Sequence, residues 1–145
     1  MGSSAGGHLA SQALVAWHTY ESDVSLRPDL GIMCYPVIAS QGPFVNVGSM
    51  RNLAGQDPSF ETLNMLSSDL HVGPDTPPCS LWHTGEDAAV PLENSMLFAS
   101  ALRVHGVPFE LHLYGRGQHG LGLATPFDWG DQCLRWIGEV TEWAA

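Results

Sequence analysis

Three residues of this sequence, Ser4, Asp87 and His119, have the types and the order needed for nucleophilic catalysis through an activated hydroxyl. Ser4 lies in Gly2-Ser3-Ser4-Ala5-Gly6, a G-x-S-x-G pattern whose small residues allow a sharp strand-to-helix turn that exposes the serine hydroxyl. Asp87 follows Thr84-Gly85-Glu86 just past an apolar strand. A carboxylate there can orient a histidine and stabilise the imidazolium that forms during attack. His119 sits in Gly115-Arg116-Gly117-Gln118-His119-Gly120, where glycines free the backbone to present an imidazole. Such a ring can take the serine proton and later return it to the leaving group. The order serine, acid, histidine, each after a predicted strand, makes the three far more specific together than singly.

Each residue also has an ordinary reading. A short run of small residues arises by chance, and Met-Gly-Ser-Ser resembles a cloning leader. A loop aspartate usually caps a turn or a helix, and a lone loop histidine is usually solvated. Glu86 is the rival acid, with Asp87 preferred. The seven histidines form neither H-x-x-x-H nor H-E-x-x-H, so no metal site is expected. Trp17, Trp82, Trp129 and Trp136 read as core residues rather than ligand platforms.

The elements that must position these residues alternate between helix and strand, the pattern of an α/β fold with a parallel sheet. Leu9, Ala10, Ala13, Leu14 and Trp17 predict a helix directly after Gly6 and Gly7. Leu30 to Tyr35 is a nearly continuous apolar run, as in a parallel strand covered on both faces. Ser40 to Val72 reads as an irregular excursion with a weak helical signal around Phe60 to Leu66, and a loop of that length is expected to bind something. The turn Gly73 to Pro78 leads into a short strand, Cys79 to His83. Pro91 fits the first position of a helix striped by Leu92, Met96, Ala99 and Leu102 and stopped by Gly106. Phe109 to Tyr114 alternates, which predicts the outermost strand. Trp129, Cys133, Trp136, Ile137 and Val140 predict a closing helix.

Composition bounds the rest. The 145 residues read as one domain, 44% hydrophobic and 14% charged, which argues against disorder. With a formal charge of −10, five arginines and no lysine, the chain has no basic surface for nucleic acid. No apolar stretch approaches the ~20 residues that span a bilayer. No secretory leader pattern opens the chain, and Gly6 stands where a myristoylation motif needs Ser or Thr. Cys34, Cys79 and Cys133, odd in number and widely spaced, are expected to be buried and unpaired.

Three stretches resemble the acetylesterase and acetyl-xylan-esterase branch of the α/β-hydrolases: Gly2 to Ala10, the segment from Pro74 through Trp82-His83-Thr84 and Asp87 to Val90-Pro91 and Glu93-Asn94-Ser95, and Gly117-Gln118-His119-Gly120-Leu121-Gly122-Leu123. The resemblance implies Ser4 as nucleophile, His119 as base and Asp87 as acid, with the Ala5 N–H as one oxyanion donor. It implies hydrolysis of a small ester, with no metal or organic cofactor. Prolyl-oligopeptidase-type and dienelactone hydrolases share the sheet and the residue order, and an inactive fragment of such an enzyme is the other alternative. In the family, strands and an HGGG-type oxyanion motif precede the elbow, whereas this chain starts at it. The expectation is therefore a partial α/β-hydrolase fold of about three parallel strands flanked by helices, with the turn at Ser4 unsupported. Leu30 to Tyr35 would then be an unpaired edge that favours self-association.

Overall fold

In the computed structural model, which describes residues 1–123 and 125–143, the elements in chain order are β1 (Gly2–Ser3), α1 (Ala5–Ala16), β2 (Gly31–Cys34), α2 (Val47–Ala54), α3 (Phe60–Leu66), β3 (Cys79–Thr84), α4 (Glu93–Val104), β4 (Phe109–Tyr114) and α5 (Trp129–Trp143). The four strands form one parallel sheet in the order β1-β2-β3-β4, with β4 outermost as its alternating pattern predicts.

The pleat sorts strand residues into two cores. Met33, Cys79 and Leu81 pack with Leu14 and Val15 of α1 and with Phe98 and Leu102 of α4. Cys34 and Trp82, one step along each strand, pack with Trp129 and Cys133 of α5. Helices therefore cover both faces, which is why β2 is a nearly continuous apolar run while β4, at the edge, alternates. All three cysteines are buried and unpaired, and burial pushes the thiols of Cys34 and Cys79 up to about 11 and about 12.

Four expectations are corrected. First, Leu30 to Tyr35 is not an unpaired edge: Gly2 pairs with Met33 and Ser3 with Cys34, adding a fourth, two-residue strand. Second, α1 starts at Ala5 rather than near Leu9, and it buries Gly7, His8, Ser11, Leu14 and Val15. The expected stripe fails because Leu9 is 73% exposed, while the buried His8 and Ser11 find partners in Leu66 O (2.7 Å) and Ser68 Oγ (2.7 Å). Third, the excursion from Ser40 to Val72 is largely ordered. Asn46 caps α2 by accepting from Ser49 N–H (2.7 Å), Ser59 caps α3 by accepting from Thr62 N–H (3.2 Å), and a 3₁₀ turn spans Ser68–His71. Fourth, α4 starts at Glu93, two residues after Pro91, because the segment enters through the tight bond Asn94 N–H to Pro91 O (3.0 Å).

Asn94 fastens the chain after β2 to the start of α4. Its Oδ1 accepts from Ile38 N–H and Ala39 N–H, both at 2.9 Å, and its Nδ2 donates to Phe44 O (2.9 Å) and Pro91 O (3.0 Å). The side chain is inaccessible to water, so nothing replaces these partners when it is removed. Asn94→Ala is expected to cost about 3 kcal/mol or more, since several buried backbone groups lose partners at once. Urea unfolding measures this as a lower midpoint at unchanged slope.

Candidate active site

The structure brings Ser4, Asp87 and His119 together from opposite ends of the chain. Ser4 occupies the turn between β1 and α1 with φ 54° and ψ −122°, a left-handed conformation that a side-chain-bearing residue adopts only under constraint. The constraint is visible. Ser4 N–H donates to Cys34 O (3.0 Å), and Ser4 O accepts from Val37 N–H (3.1 Å) and His8 N–H (3.2 Å). The turn is thus supported by the segment following β2, contrary to the expectation that it would be left unsupported.

Two glycines make the turn sterically feasible. A Cβ on Gly2 would stand 2.0 Å from Gly6 O, and one on Gly7 would stand 2.6 Å from Pro36 Cβ. Close backbone approach therefore requires glycine at Gly2 of the motif and at Gly7 just past it, whereas a Cβ on Gly6 would meet nothing within 4 Å.

His119 links the other two residues. Its Nδ1 lies 2.6 Å from Asp87 Oδ2 and its Nε2 lies 2.8 Å from Ser4 Oγ. An ionised carboxylate only accepts, so Nδ1 carries the proton and Nε2 accepts from the serine hydroxyl. Access to solvent falls along the line: the His119 side chain is 24% exposed and the Asp87 side chain 0%. For Asp87, burial is the largest influence and opposes ionisation. The hydrogen bonds from Val90 N–H, His119 and Ala89 N–H together outweigh it and hold the carboxyl below its ordinary value.

The loop that presents His119 is held from several sides. Thr84 Oγ1 donates to Gly117 O (2.7 Å), and Glu86 Oε2 accepts from Gly117 N–H (3.0 Å). Glu86, the rival acid in the sequence, thus bonds the loop backbone while Asp87 bonds the imidazole. Further along, Tyr35 Oη accepts from Gly122 N–H (3.1 Å), Trp129 Nε1 donates to Gly122 O (3.0 Å), and the Tyr35 ring meets His119 edge-on at 5.0 Å. Tyr35 also has positive φ, 39°. None of these positioning roles has a local sequence signal: Tyr35 ends an apolar run, Trp129 lies on the apolar stripe of a helix, and nothing in a tyrosine marks a positive φ.

His83 was missed for the same reason. It is the next-to-last residue of β3 and is inaccessible to water, yet its Nε2 lies 3.2 Å from Asp87 Oδ2 and 3.0 Å from Val90 O, and its Nδ1 lies 2.9 Å from Ser95 Oγ. Ala5, the expected oxyanion donor, is the first residue of α1. Its N–H is one of the first-turn donors that a helix leaves without an internal partner.

The model of the prolyl oligopeptidase family matches residues 1–142. The chain belongs to this family. Among curated relatives, endo-1,4-beta-xylanase B of Butyrivibrio fibrisolvens is 42% identical over 131 residues, 86% of this chain and 20% of that protein. The acetylxylan esterase of Xylanibacter ruminicola is 34% identical over 147 residues, 95% of this chain and 28% of that protein. Among solved structures, an acetyl ester-xyloside bifunctional hydrolase from Caldicellulosiruptor lactoaceticus is 44% identical with a TM-score of 0.90, the match covering 95% of this chain and 54% of that one. A carboxylesterase from Lactobacillus plantarum WCFS1 is 29% identical with a TM-score of 0.76, covering 95% and 56%. The chain thus spans about half the length of these solved relatives and less of the curated ones. The lineage of this prolyl oligopeptidase family member is that of an esterase-type α/β-hydrolase, in the acetylesterase-like branch that its three motif stretches resemble.

Proposed function

We propose that this chain carries the catalytic side chains of a serine carboxylesterase for short-chain esters, acetyl groups above all, including those on carbohydrates. The observation that carries this reading is the unbroken line Ser4 Oγ to His119 Nε2 (2.8 Å) and His119 Nδ1 to Asp87 Oδ2 (2.6 Å). Two relatives named for acetyl esters support the choice of acyl group.

In this mechanism Ser4 Oγ attacks the ester carbonyl carbon as its proton passes to His119 Nε2. Asp87 holds the imidazole and stabilises its positive charge. The Ala5 N–H donates to the oxygen that becomes negative, and such a donor is typically worth about 10²–10³ in rate. The C–O bond to the alcohol then breaks, the alcohol leaves with the proton from His119, and acetyl-Ser4 remains. Water, deprotonated by the same imidazole, releases acetate and restores the serine.

A cavity of about 540 Å³ begins at Ala5, runs along α1 past Leu9 and is bounded by Ser49, Asn52 and Leu53 of α2 and by Leu66 of α3. We assign it to the alcohol side of the substrate, which gives the segment from Ser40 to Val72 its part in the site. The formal charge of −10 favours neutral esters over anionic ones.

The test is covalent trapping. A fluorophosphonate should label the chain at a single site, the peptide containing Ser4, at a rate that parallels loss of p-nitrophenyl acetate hydrolysis. Labelling elsewhere, or hydrolysis that survives complete labelling, would overturn the reading.

A further inference from the structure

We propose that His83 is a positioning residue for Asp87, an imidazole that donates its Nε2–H to the carboxylate and so fixes the oxygen that holds His119. The inference rests on the esterase reading above and adds a fourth side chain to its acid–base line.

The proton positions follow from the partners. Val90 O and Asp87 Oδ2 are both acceptors, and His83 Nε2 lies within reach of each, at 3.0 and 3.2 Å. Nε2 must therefore carry the hydrogen and share it between them. In the neutral ring Nδ1 is then the bare nitrogen, and it accepts from the Ser95 hydroxyl at 2.9 Å. Ser95 is itself fully buried in the first turns of α4, and its hydroxyl can donate or accept, so the tautomer is set by the two acceptors at Nε2.

Counting at the carboxylate shows what this accomplishes. Oδ1 accepts from Ala89 N–H and Val90 N–H, both at 2.9 Å, and Oδ2 accepts from His119 and His83. All of the approximately four lone-pair positions are used. Without His83, Oδ2 would be held by His119 alone, and only the two backbone bonds to Oδ1 would resist its following the ring.

The titratable groups facing His83 are Asp87 and His119; Glu86, the other acid of this loop, bonds Gly117 N–H. Burial, the largest influence, lowers the basicity of His83 and outweighs the attraction of Asp87. A charged His83 would compete with His119 for the same oxygen. A neutral one restrains Asp87 without drawing off its charge. The longer contact, 3.2 Å against 2.6 Å, fits a shared hydrogen bond that steadies the oxygen and leaves the strong bond to His119.

The experiment has two arms. Ring-nitrogen NMR of the chain labelled with ¹⁵N-histidine should show His83 as the Nε2–H tautomer, without conversion to imidazolium, between about pH 5 and 8. A hydrogen on Nδ1 alone, or protonation of both nitrogens in that range, would overturn the proposal. In the second arm, His83→Leu is expected to lower kcat for p-nitrophenyl acetate roughly 10- to 100-fold with KM little changed. Its acidic limb should move to higher pH, because a carboxylate relieved of one donor binds the imidazolium of His119 more strongly. His83→Gln, which keeps an N–H donor, should restore much of the rate and move the limb back. An unchanged kcat and profile in folded His83→Leu would overturn the proposal. If His83→Leu does not fold, the comparison of His83→Gln with wild type and the ring-nitrogen shifts decide. A wild-type rate no greater than that of Ser4→Ala would end the esterase reading, while the NMR arm still decides whether His83 donates to Asp87.

Discussion

Replacing Ser4 with alanine is expected to lower kcat for p-nitrophenyl acetate on the order of 10⁵- to 10⁶-fold while leaving the fold intact. The loss is large because the remaining groups act only through the missing oxygen. His119 Nε2 has Ser4 Oγ as its partner at 2.8 Å, and without it the imidazole can activate only water. What remains is catalysis from binding and oxyanion stabilisation, about 10³–10⁴ over the uncatalysed rate.

A second variant separates chemistry from folding. Alanine keeps a Cβ at φ 54°, so Ser4→Ala retains the strain of the turn. Glycine removes that strain, about 1–3 kcal/mol, against a gain of unfolded-chain entropy near 1 kcal/mol. Ser4→Gly should therefore be as inactive as Ser4→Ala and more stable by about 1 kcal/mol, which raises Tm by roughly 3 °C for a chain of this size. Thermal unfolding and initial rates measured on the same preparations check both halves. Substantial hydrolysis by either variant would remove Ser4 from the mechanism.

The three side chains that meet at this site were legible in the sequence because each belongs to a short local signal: small residues around Ser4, a turn after an apolar strand before Asp87, and glycines around His119. The longer strands were legible for a related reason: β2 is a nearly continuous apolar run, as a strand covered on both faces demands, and β4 alternates as an outermost strand does. What stayed hidden depends on partners far along the chain. His8 and Ser11 occupy the buried face of α1 because Leu66 O and Ser68 Oγ, 58 and 57 residues away, receive or meet them. Helix α2 has one buried residue, Met50, so its caps define it more than any apolar stripe does. The pairing of Gly2 and Ser3 with β2 was hidden because two residues carry no periodicity. Tyr35 and His83 read as strand ends because only the folded chain sets them beside His119 and Asp87.

Asp87→Asn is expected to lower kcat about 10⁴-fold, and the cause is a reversed hydrogen bond. In the wild type, Oδ1 accepts from two backbone N–H groups, Ala89 and Val90, and this fixes which end of the side chain can become nitrogen. The amide oxygen must stay with those donors, which places the NH₂ group where Oδ2 meets His119 Nδ1 and His83 Nε2. An NH₂ group donates, so His119 Nδ1 must give up its hydrogen and accept. The proton then resides on Nε2, facing Ser4 Oγ, and the nitrogen that should take the serine proton is already occupied. Ring-nitrogen NMR should show His119 converted to the Nε2–H tautomer, with initial rates giving the loss. Stability supplies an independent check with a defined sign. The folded carboxyl of Asp87 is held below its ordinary value, so ionisation stabilises the native state above the ordinary carboxylate range, and that contribution disappears as pH falls through the folded value. The part of the stability gap between wild type and Asp87→Asn that arises from ionisation should therefore be present at neutral pH and shrink as acid is added. A loss of less than about tenfold in kcat, with His119 keeping its Nδ1 proton, would show that Asp87 does not set the tautomer of the base.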